Sequence, residues 1–119
     1  MNDPKKSKTE NDCKALLSGF QGVLSWKWDD RFETLLAEFG VDNKDSIRAI
    51  LEQYLHTTWD NANIDSAPDA VRMVNDRLGN LMAGQLLFTS DPNQETFIFC
   101  AWWPWGDGKT ISLRIAPFQ

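Results

Sequence analysis

The apolar positions change their spacing along the chain, from a helical period in the first two thirds to a strand period in the last third. In the first part, apolar residues recur every three or four positions, which is the spacing of an amphipathic helix. The four predicted helices lie within residues 13–24, 29–40, 43–59 and 66–79. Asp29 or Asp30 can cap the second helix and Gly40 can end it, while Ser66 can cap the fourth. Residues 23–28 fit either a continuation of the first helix or a short extended segment.

Beyond Gly79 the pattern becomes that of three strands joined by short turns. The predicted strands are residues 84–89, 95–103 and 109–116. Asp107–Gly108 is a strong hairpin signal, and strands joined by short turns pair as antiparallel neighbours. The sequence therefore predicts an α+β fold of about four N-terminal helices followed by a three-stranded antiparallel β-meander, packed in two layers.

Length and composition place the chain in the class of single globular domains. It has 119 residues, of which 42% are hydrophobic and 24% charged, and that is enough for one hydrophobic core. Residues 1–11 are polar and without periodicity, so they are expected to form a disordered tail. Residues 12–119 are then expected to form one α+β domain.

Cysteine use and hydropathy bear on compartment and cofactors. Cys13 and Cys100 stand in no CxxC motif, which favours two reduced thiols and gives no zinc spacing. No apolar run approaches the roughly 18 residues of a membrane span, and the N-terminus has no signal-peptide pattern. These features predict a cytoplasmic protein without membrane association, metal or cofactor.

The net charge of −5 is concentrated in the middle of the chain. Residues 29–69 hold ten acidic and three basic side chains. Such a segment repels nucleic-acid phosphates and attracts a basic protein surface. If the predicted helices form, one acidic helical surface would include Glu38, Asp42, Asp45, Glu52 and Asp60.

The predicted central strand is apolar on both faces. Alternation places Ile98, Cys100 and Trp102 on one of them. If all helices cover the opposite face, these residues are exposed, flanked by the polar residues of the last strand, which are Thr110, Ser112 and Arg114. An exposed aromatic patch with a polar rim is typical of a contact surface, and Trp105 in its tight turn would extend it. Alternatively, other segments of the same chain cover this second face.

His56 is the only histidine, and Glu52 lies one helical turn before it. An i, i+4 Glu–His pair can act in general acid–base chemistry, but it is also an ordinary surface contact. Trp59 and Asp60 follow three and four residues after His56, so these four residues form a second candidate contact region.

No catalytic signature emerges, and the leading hypothesis is a non-enzymatic protein-interaction module. In its concrete form it is a small acidic inhibitor or immunity-type protein that binds a basic partner, or the chain associates with itself. The predicted partner-binding residues are Trp102, Trp105, Arg114, Ile98, Glu52, His56, Trp59 and Asp60. One alternative is a small-ligand-binding domain, either monomeric or homodimeric, with a pocket between sheet and helices lined by Trp59, Trp102 and Trp103. A second alternative is a hydrolase-like enzyme that uses His56.

Overall fold

The computed structural model describes residues 4–118, which form a six-stranded antiparallel sheet with helices on both faces. The strands in chain order are β1 (Lys27–Asp29), β2 (Thr34–Gly40), β3 (Thr57–Trp59), β4 (Leu86–Thr89), β5 (Phe97–Pro104) and β6 (Thr110–Phe118). Across the sheet the order is β1-β2-β6-β5-β4-β3. The two longest strands, β5 and β6, therefore lie at the centre, and the two three-residue strands form the edges.

Four helices and two short 3-10 turns lie between or before the strands. They are α1 (Pro4–Asp12), α2 (Lys14–Gly19), α3 (Lys44–Tyr54) and α4 (Asp69–Arg77), with 3-10 turns at Val41–Asn43 and Ile64–Ser66. Helices α2 and α3 pack on the face of the sheet that carries Cys100 and Trp102, which we call face A. Helix α4 and the second 3-10 turn pack on the opposite face, which carries Phe99 and Trp103 and which we call face B.

The predicted order of four helices followed by a three-stranded meander is wrong, because helices and strands are interspersed. Residues 29–40, predicted to be a helix, form the end of β1, a turn and strand β2. Leu35, Ala37 and Phe39 alternate toward face A and are buried there. Their spacing satisfies a strand period as well as a helical one. Pairing with the central strand β6 decides between the two.

The third predicted helix is also too long. Helix α3 ends at Tyr54, and Leu55 already has an extended backbone. Thr57–Trp59 then forms edge strand β3, as the β-branched threonines favour. The three predicted strands correspond to β4, β5 and β6, to which the structure adds β1, β2 and β3.

The predicted two-layer packing is replaced by three layers, because strand β5 is covered on both sides. On face A, Cys100 and Trp102 are buried against residues of α2 and α3, with Ile98 half-buried at the same cluster. On face B, Phe97 and Phe99 pack with residues of α4. Cys100 and Trp102 are therefore core residues rather than an exposed patch.

The first helix falls where a disordered tail is predicted. Helix α1 spans Pro4–Asp12, and Thr9 is buried against the rest of the molecule. The remaining part of the predicted tail, residues 1–3, lies outside the described residues.

Burial on both faces predicts equal sensitivity of the two halves of the core. Phe88 on face A and Phe99 on face B are fully buried. We expect Phe88→Ala and Phe99→Ala each to lower the free energy of unfolding by about 3–5 kcal/mol, because each leaves a cavity. Urea denaturation followed by tryptophan fluorescence measures both. Val23→Ala, at an exposed position, is the control, and a loss confined to one phenylalanine would contradict the three-layer arrangement.

Candidate functional site

Helix α4 covers one part of face B and leaves another part open. The open part contains a groove with a volume of about 430 Å³, which we call the face B groove. Its floor is the polar side of β6, and its walls are the β1–β2 turn, the loop after α4 and the start of the β5–β6 hairpin. The residues that define it are Arg31, Phe32, Leu78, Asn80, Met82, Gln85, Trp103, Trp105, Ser112 and Arg114.

Arg114 occupies the floor of the groove beside two aromatic rings that contact each other edge-to-face. Its guanidinium carbon lies 4.4 Å from the ring centre of Trp103 and 5.2 Å from that of Phe32. The Nε donates to Asp29 Oδ2 at 3.0 Å, and Nη1 donates to Ser112 Oγ at 3.3 Å. The side chains of this ion pair are only 16% and 15% exposed. The cation is thus fixed in position by stacking and by charge together.

The same aspartate also holds the β1–β2 turn that forms one wall. Asp29 Oδ1 accepts a hydrogen bond from the backbone N–H of Arg31 at 3.0 Å. Arg77 at the end of α4 donates from Nη2 to the carbonyl oxygen of Phe32 at 3.0 Å. The guanidinium of Arg31 then lies over the Phe32 ring, 5.1 Å from its centre. This wall is therefore tied to both the sheet and α4.

The opposite wall is a loop whose conformation is set by a buried amide. Asn75 Oδ1 accepts a hydrogen bond from the backbone N–H of Leu81 at 2.8 Å. The backbone carbonyl oxygen of Asn75 accepts one from the backbone N–H of Asn80 at 2.9 Å. Asn80 has φ +69°, a left-handed conformation that asparagine tolerates better than most residues. The N–H of Met82 donates to Gln85 Oε1 at 2.9 Å. The loop thereby presents Met82 at the rim with 65% of its surface exposed.

The β5–β6 hairpin closes the third side. Asp107 Oδ1 accepts from the backbone N–H groups of Lys109 at 2.8 Å and Thr110 at 3.1 Å, and the bond from Lys109 lowers the pKa of Asp107. The N–H of Trp105 donates to the carbonyl oxygen of Thr110 at 2.8 Å. Trp105 lies at the rim and is exposed, as the sequence predicts for this tryptophan.

Of the predicted partner-binding residues, Arg114 and Trp105 belong to the groove and the others do not. Trp102 and Ile98 point to face A, where Trp102 is buried and Ile98 half-buried. The sequence reasoning missed Phe32, Met82 and Arg31, which lie far from Arg114 along the chain and have no motif around them.

The predicted Glu52–His56 pair does not form through its side chains. His56 Nδ1 lies 2.9 Å from the backbone carbonyl oxygen of Glu52 and donates to it. The Glu52 carboxylate lies 3.7 Å from Arg48 Nε. Both residues are exposed and neither lines the groove, since Glu52 lies on α3 over face A and His56 lies in the segment between α3 and β3.

Trp59 and Asp60 have structural contacts at the edge strand. Trp59 Nε1 donates to Thr89 Oγ1 at 3.0 Å, and the half-buried ring packs on the face B core. Asp60 Oδ1 accepts from the backbone N–H groups of Ala62 and Asn63, which forms the turn after β3.

Two predicted groupings of side chains are separated by the sheet. Trp59 and Trp103 belong to face B and Trp102 to face A, so the three tryptophans do not line one pocket. Of the five acids predicted to share a helical surface, only Asp45 and Glu52 lie on one helix. Glu38 is in strand β2 on face B, and Glu52 is on helix α3 over face A.

Both cysteines are buried free thiols in the face A core. Burial, with a smaller effect of the Asp12 carboxylate, raises the pKa of Cys13 from 9.0 to about 12, and burial raises that of Cys100 as well. Neither thiol is therefore a reactive nucleophile at neutral pH. Residues 4–118 contain no group of three or more side chains of the His, Cys, Asp or Glu type that could hold a metal ion.

No helix within residues 4–118 combines the length and the apolar character needed to cross a membrane. Comparison with protein-family models, with curated proteins and with solved structures finds no match to this chain.

The geometry of the groove floor predicts strong coupling between Arg114 and Asp29. Arg114→Met leaves the Asp29 carboxylate poorly solvated without its partner, and we expect a loss of about 2 kcal/mol in the free energy of unfolding. A double-mutant cycle with Asp29→Asn should give a coupling energy of about 1–2 kcal/mol. The exposed pair Lys27–Glu38, at 3.9 Å, is the matched control and should couple by less than about 0.5 kcal/mol. Equal coupling in the two pairs would contradict this account.

The raised thiol pKa of Cys13 predicts a loss of stability at alkaline pH. The protonated thiol contributes fully below the ordinary pKa of 9.0, and the contribution is lost as the pH rises toward about 12. We expect the difference in unfolding free energy between wild type and Cys13→Ala to shrink by about 1 kcal/mol from about pH 8 to about pH 10. Urea titrations at both pH values measure it, and an unchanged difference would refute the prediction.

Proposed function

We propose that this chain is a non-enzymatic protein-interaction module that binds a partner through the face B groove. The single observation that carries the proposal is the arginine on its floor, which lies against two aromatic rings that contact each other, in a cleft open to solvent. The finer role of an inhibitor or immunity-type protein remains a prediction from composition.

The residue types at the groove support binding of a protein. Tryptophan and arginine are the types most often found where interface residues contribute most to affinity, and methionine and phenylalanine are also enriched in interfaces. Trp103 and Phe32 flank the floor, while Trp105 and Met82 are exposed at the rim. Two large apolar side chains exposed beside one cleft favour a contact surface over a solvated one.

The rigidity of the walls supports the same proposal. The hydrogen bond that Arg77 donates fixes the β1–β2 turn beside the cleft. The bond that Asn75 accepts fixes the loop after α4, and the bond that Asp107 accepts fixes the hairpin. A surface held in this way loses little conformational entropy when a partner binds. The cleft is shallow and open, whereas small-molecule sites bury most of the ligand surface. A protein partner is therefore favoured over a small ligand.

Two exposed methionines provide a matched test of the proposal. Met82 lines the groove and is 65% exposed, while Met73 lies on α4 outside it and is 59% exposed. Benzoylphenylalanine placed at position 82 in cells that produce the chain should give a discrete photo-crosslinked polypeptide. The same probe at position 73 should give none.

The crosslinked protein is then purified and its affinity measured with variants. We expect Met82→Ala to weaken binding about fivefold and Trp105→Ala about 30-fold, because exposed apolar and aromatic side chains that a partner buries contribute much of the binding free energy. Met73→Ala should change the dissociation constant by less than about twofold. Equal crosslinking at positions 73 and 82, or a partner whose affinity ignores Trp105→Ala, would refute the groove as the binding surface.

A further inference from the structure

We infer that the occupant of the face B groove is a polypeptide segment of a partner protein that presents a carboxylate next to an apolar side chain. This inference rests on the proposed function and specifies the partner that the groove selects. It is carried by the charge of the groove lining, which differs from that of the whole chain.

The lining is basic although the protein is acidic. The chain has 17 acidic against 12 Lys and Arg residues, for a net charge of −5. The groove lining includes Arg31 and Arg114 but no aspartate or glutamate. At about 0.1 M salt, charges more than about 10 Å apart are largely screened. Arg114 is already paired with Asp29 at 3.0 Å, so Arg31, which has no ion-pair partner within residues 4–118, determines which charge is favoured at the cleft, and that charge is negative.

Arg114 retains hydrogen-bonding capacity for an anion. It uses Nε for Asp29 and Nη1 for Ser112, and the described residues provide no partner for Nη2. A guanidinium presents its N–H donors in one plane, which fits the two oxygens of a carboxylate. Because the hydrogen bonds to Asp29 and Ser112 hold the guanidinium in place, an incoming carboxylate meets oriented donors.

Arg31 adds an uncompensated positive charge at the edge of the groove. Its side chain is exposed and stacks on Phe32, and within residues 4–118 no carboxylate forms an ion pair with it. The Asp29 carboxylate contacts only the backbone N–H of Arg31 and otherwise neutralises Arg114. An acidic group entering the cleft would thus gain its main charge interaction from Arg31.

The rest of the lining is suited to an apolar side chain. Trp105, Met82 and Leu78 surround the same cleft as the two arginines, and Pro104 lies at its hairpin wall. An adjacent pair of acidic and apolar residues in an extended segment places a carboxylate and a hydrophobic group a few ångströms apart. A single small anion would leave the apolar wall unused, and a purely apolar segment would leave Arg31 without a partner.

The test uses the full chain and synthetic dye-labelled decapeptides, with fluorescence anisotropy as the readout. One set carries aspartate or glutamate beside tryptophan, phenylalanine or leucine. A second set replaces each acid by lysine, and a third replaces it by the neutral amide. We expect binding by the acidic set, with the amide set about 10-fold weaker and the lysine set weaker still.

Charge reversal at the groove provides the matched variants. Arg31→Glu should weaken the acidic peptides about 10-fold, and Arg31→Gln about threefold. Arg72→Glu changes the net charge by the same amount on the exposed surface of α4 outside the groove, and it should change affinity by less than about twofold. Circular dichroism and thermal melting check that each variant is folded.

Several results would overturn the inference. Stronger binding of the lysine set, equal loss from Arg72→Glu and Arg31→Glu, or no binding by any peptide would each do so. N-acetyltryptophan, a small molecule with one carboxylate and one aromatic ring, is tested as a competitor. If it binds as tightly as the acidic peptides, the ligand is a small molecule and the segment is wrong. The crosslinking at Met82 is independent of these peptides, so a partner found there would leave the proposed function intact.

Discussion

The structure depends on one constraint, which is that strand β5 is apolar on both faces and must be covered on both. Phe97 and Phe99 point to one side, and Cys100 and Trp102 to the other, and all four are buried. Burying each large side chain contributes about 2–3 kcal/mol, so neither face can be left to solvent without a large loss. This requirement places β5 at the centre of the sheet and distributes the helices over both faces.

The same constraint explains why part of face B remains open. Six strands spaced about 4.8 Å apart make a sheet about 24 Å wide, whereas one helix is about 10 Å across. On face A two helices cover the sheet, but on face B α4 is the only helix in the apolar cluster among residues 4–118. Helix α4 covers the apolar part around Phe97 and Phe99. The region of Ser112 and Arg114 lies beyond it and forms the groove floor.

The type of several elements could be predicted from the sequence, but segment 29–40 shows why others could not. Leu35, Leu36 and Phe39 fit a helical period, and Leu35, Ala37 and Phe39 fit a strand period equally well. Local spacing cannot choose between them. The choice depends on strand β6, which lies some 75 residues later and offers a free edge to Leu35 and its neighbours. An interaction over that distance leaves no trace in a short window of sequence.

The position of Arg114 relative to the tryptophans, in contrast, was predictable. A two-residue Asp107–Gly108 turn pairs Gly106 with Lys109, and continuing the ladder pairs Trp103 with Ser112. Directly opposed residues of an antiparallel pair share a face. The polar side of the last strand therefore accompanies Trp103 rather than Trp102, as the observed register has it. The prediction that Ser112 and Arg114 flank Trp102 is wrong, because it does not follow this register. No such rule applies to Phe32 and Met82, which lie in turns far from Arg114 along the chain.

The polar floor of the groove is also a place where the sheet departs from what stability alone would favour. A partly buried ion pair such as Arg114–Asp29 loses solvation on folding, and a well-packed apolar pair of similar volume would be at least as stable in many proteins. Stacking on Trp103 and Phe32 offsets part of that cost. Departures from local rules of this kind concentrate at functional sites. The hydrogen bonds of Arg77 and Asn75 that hold the surrounding walls are consistent with this, since they keep a cleft open above the paired, largely buried cation.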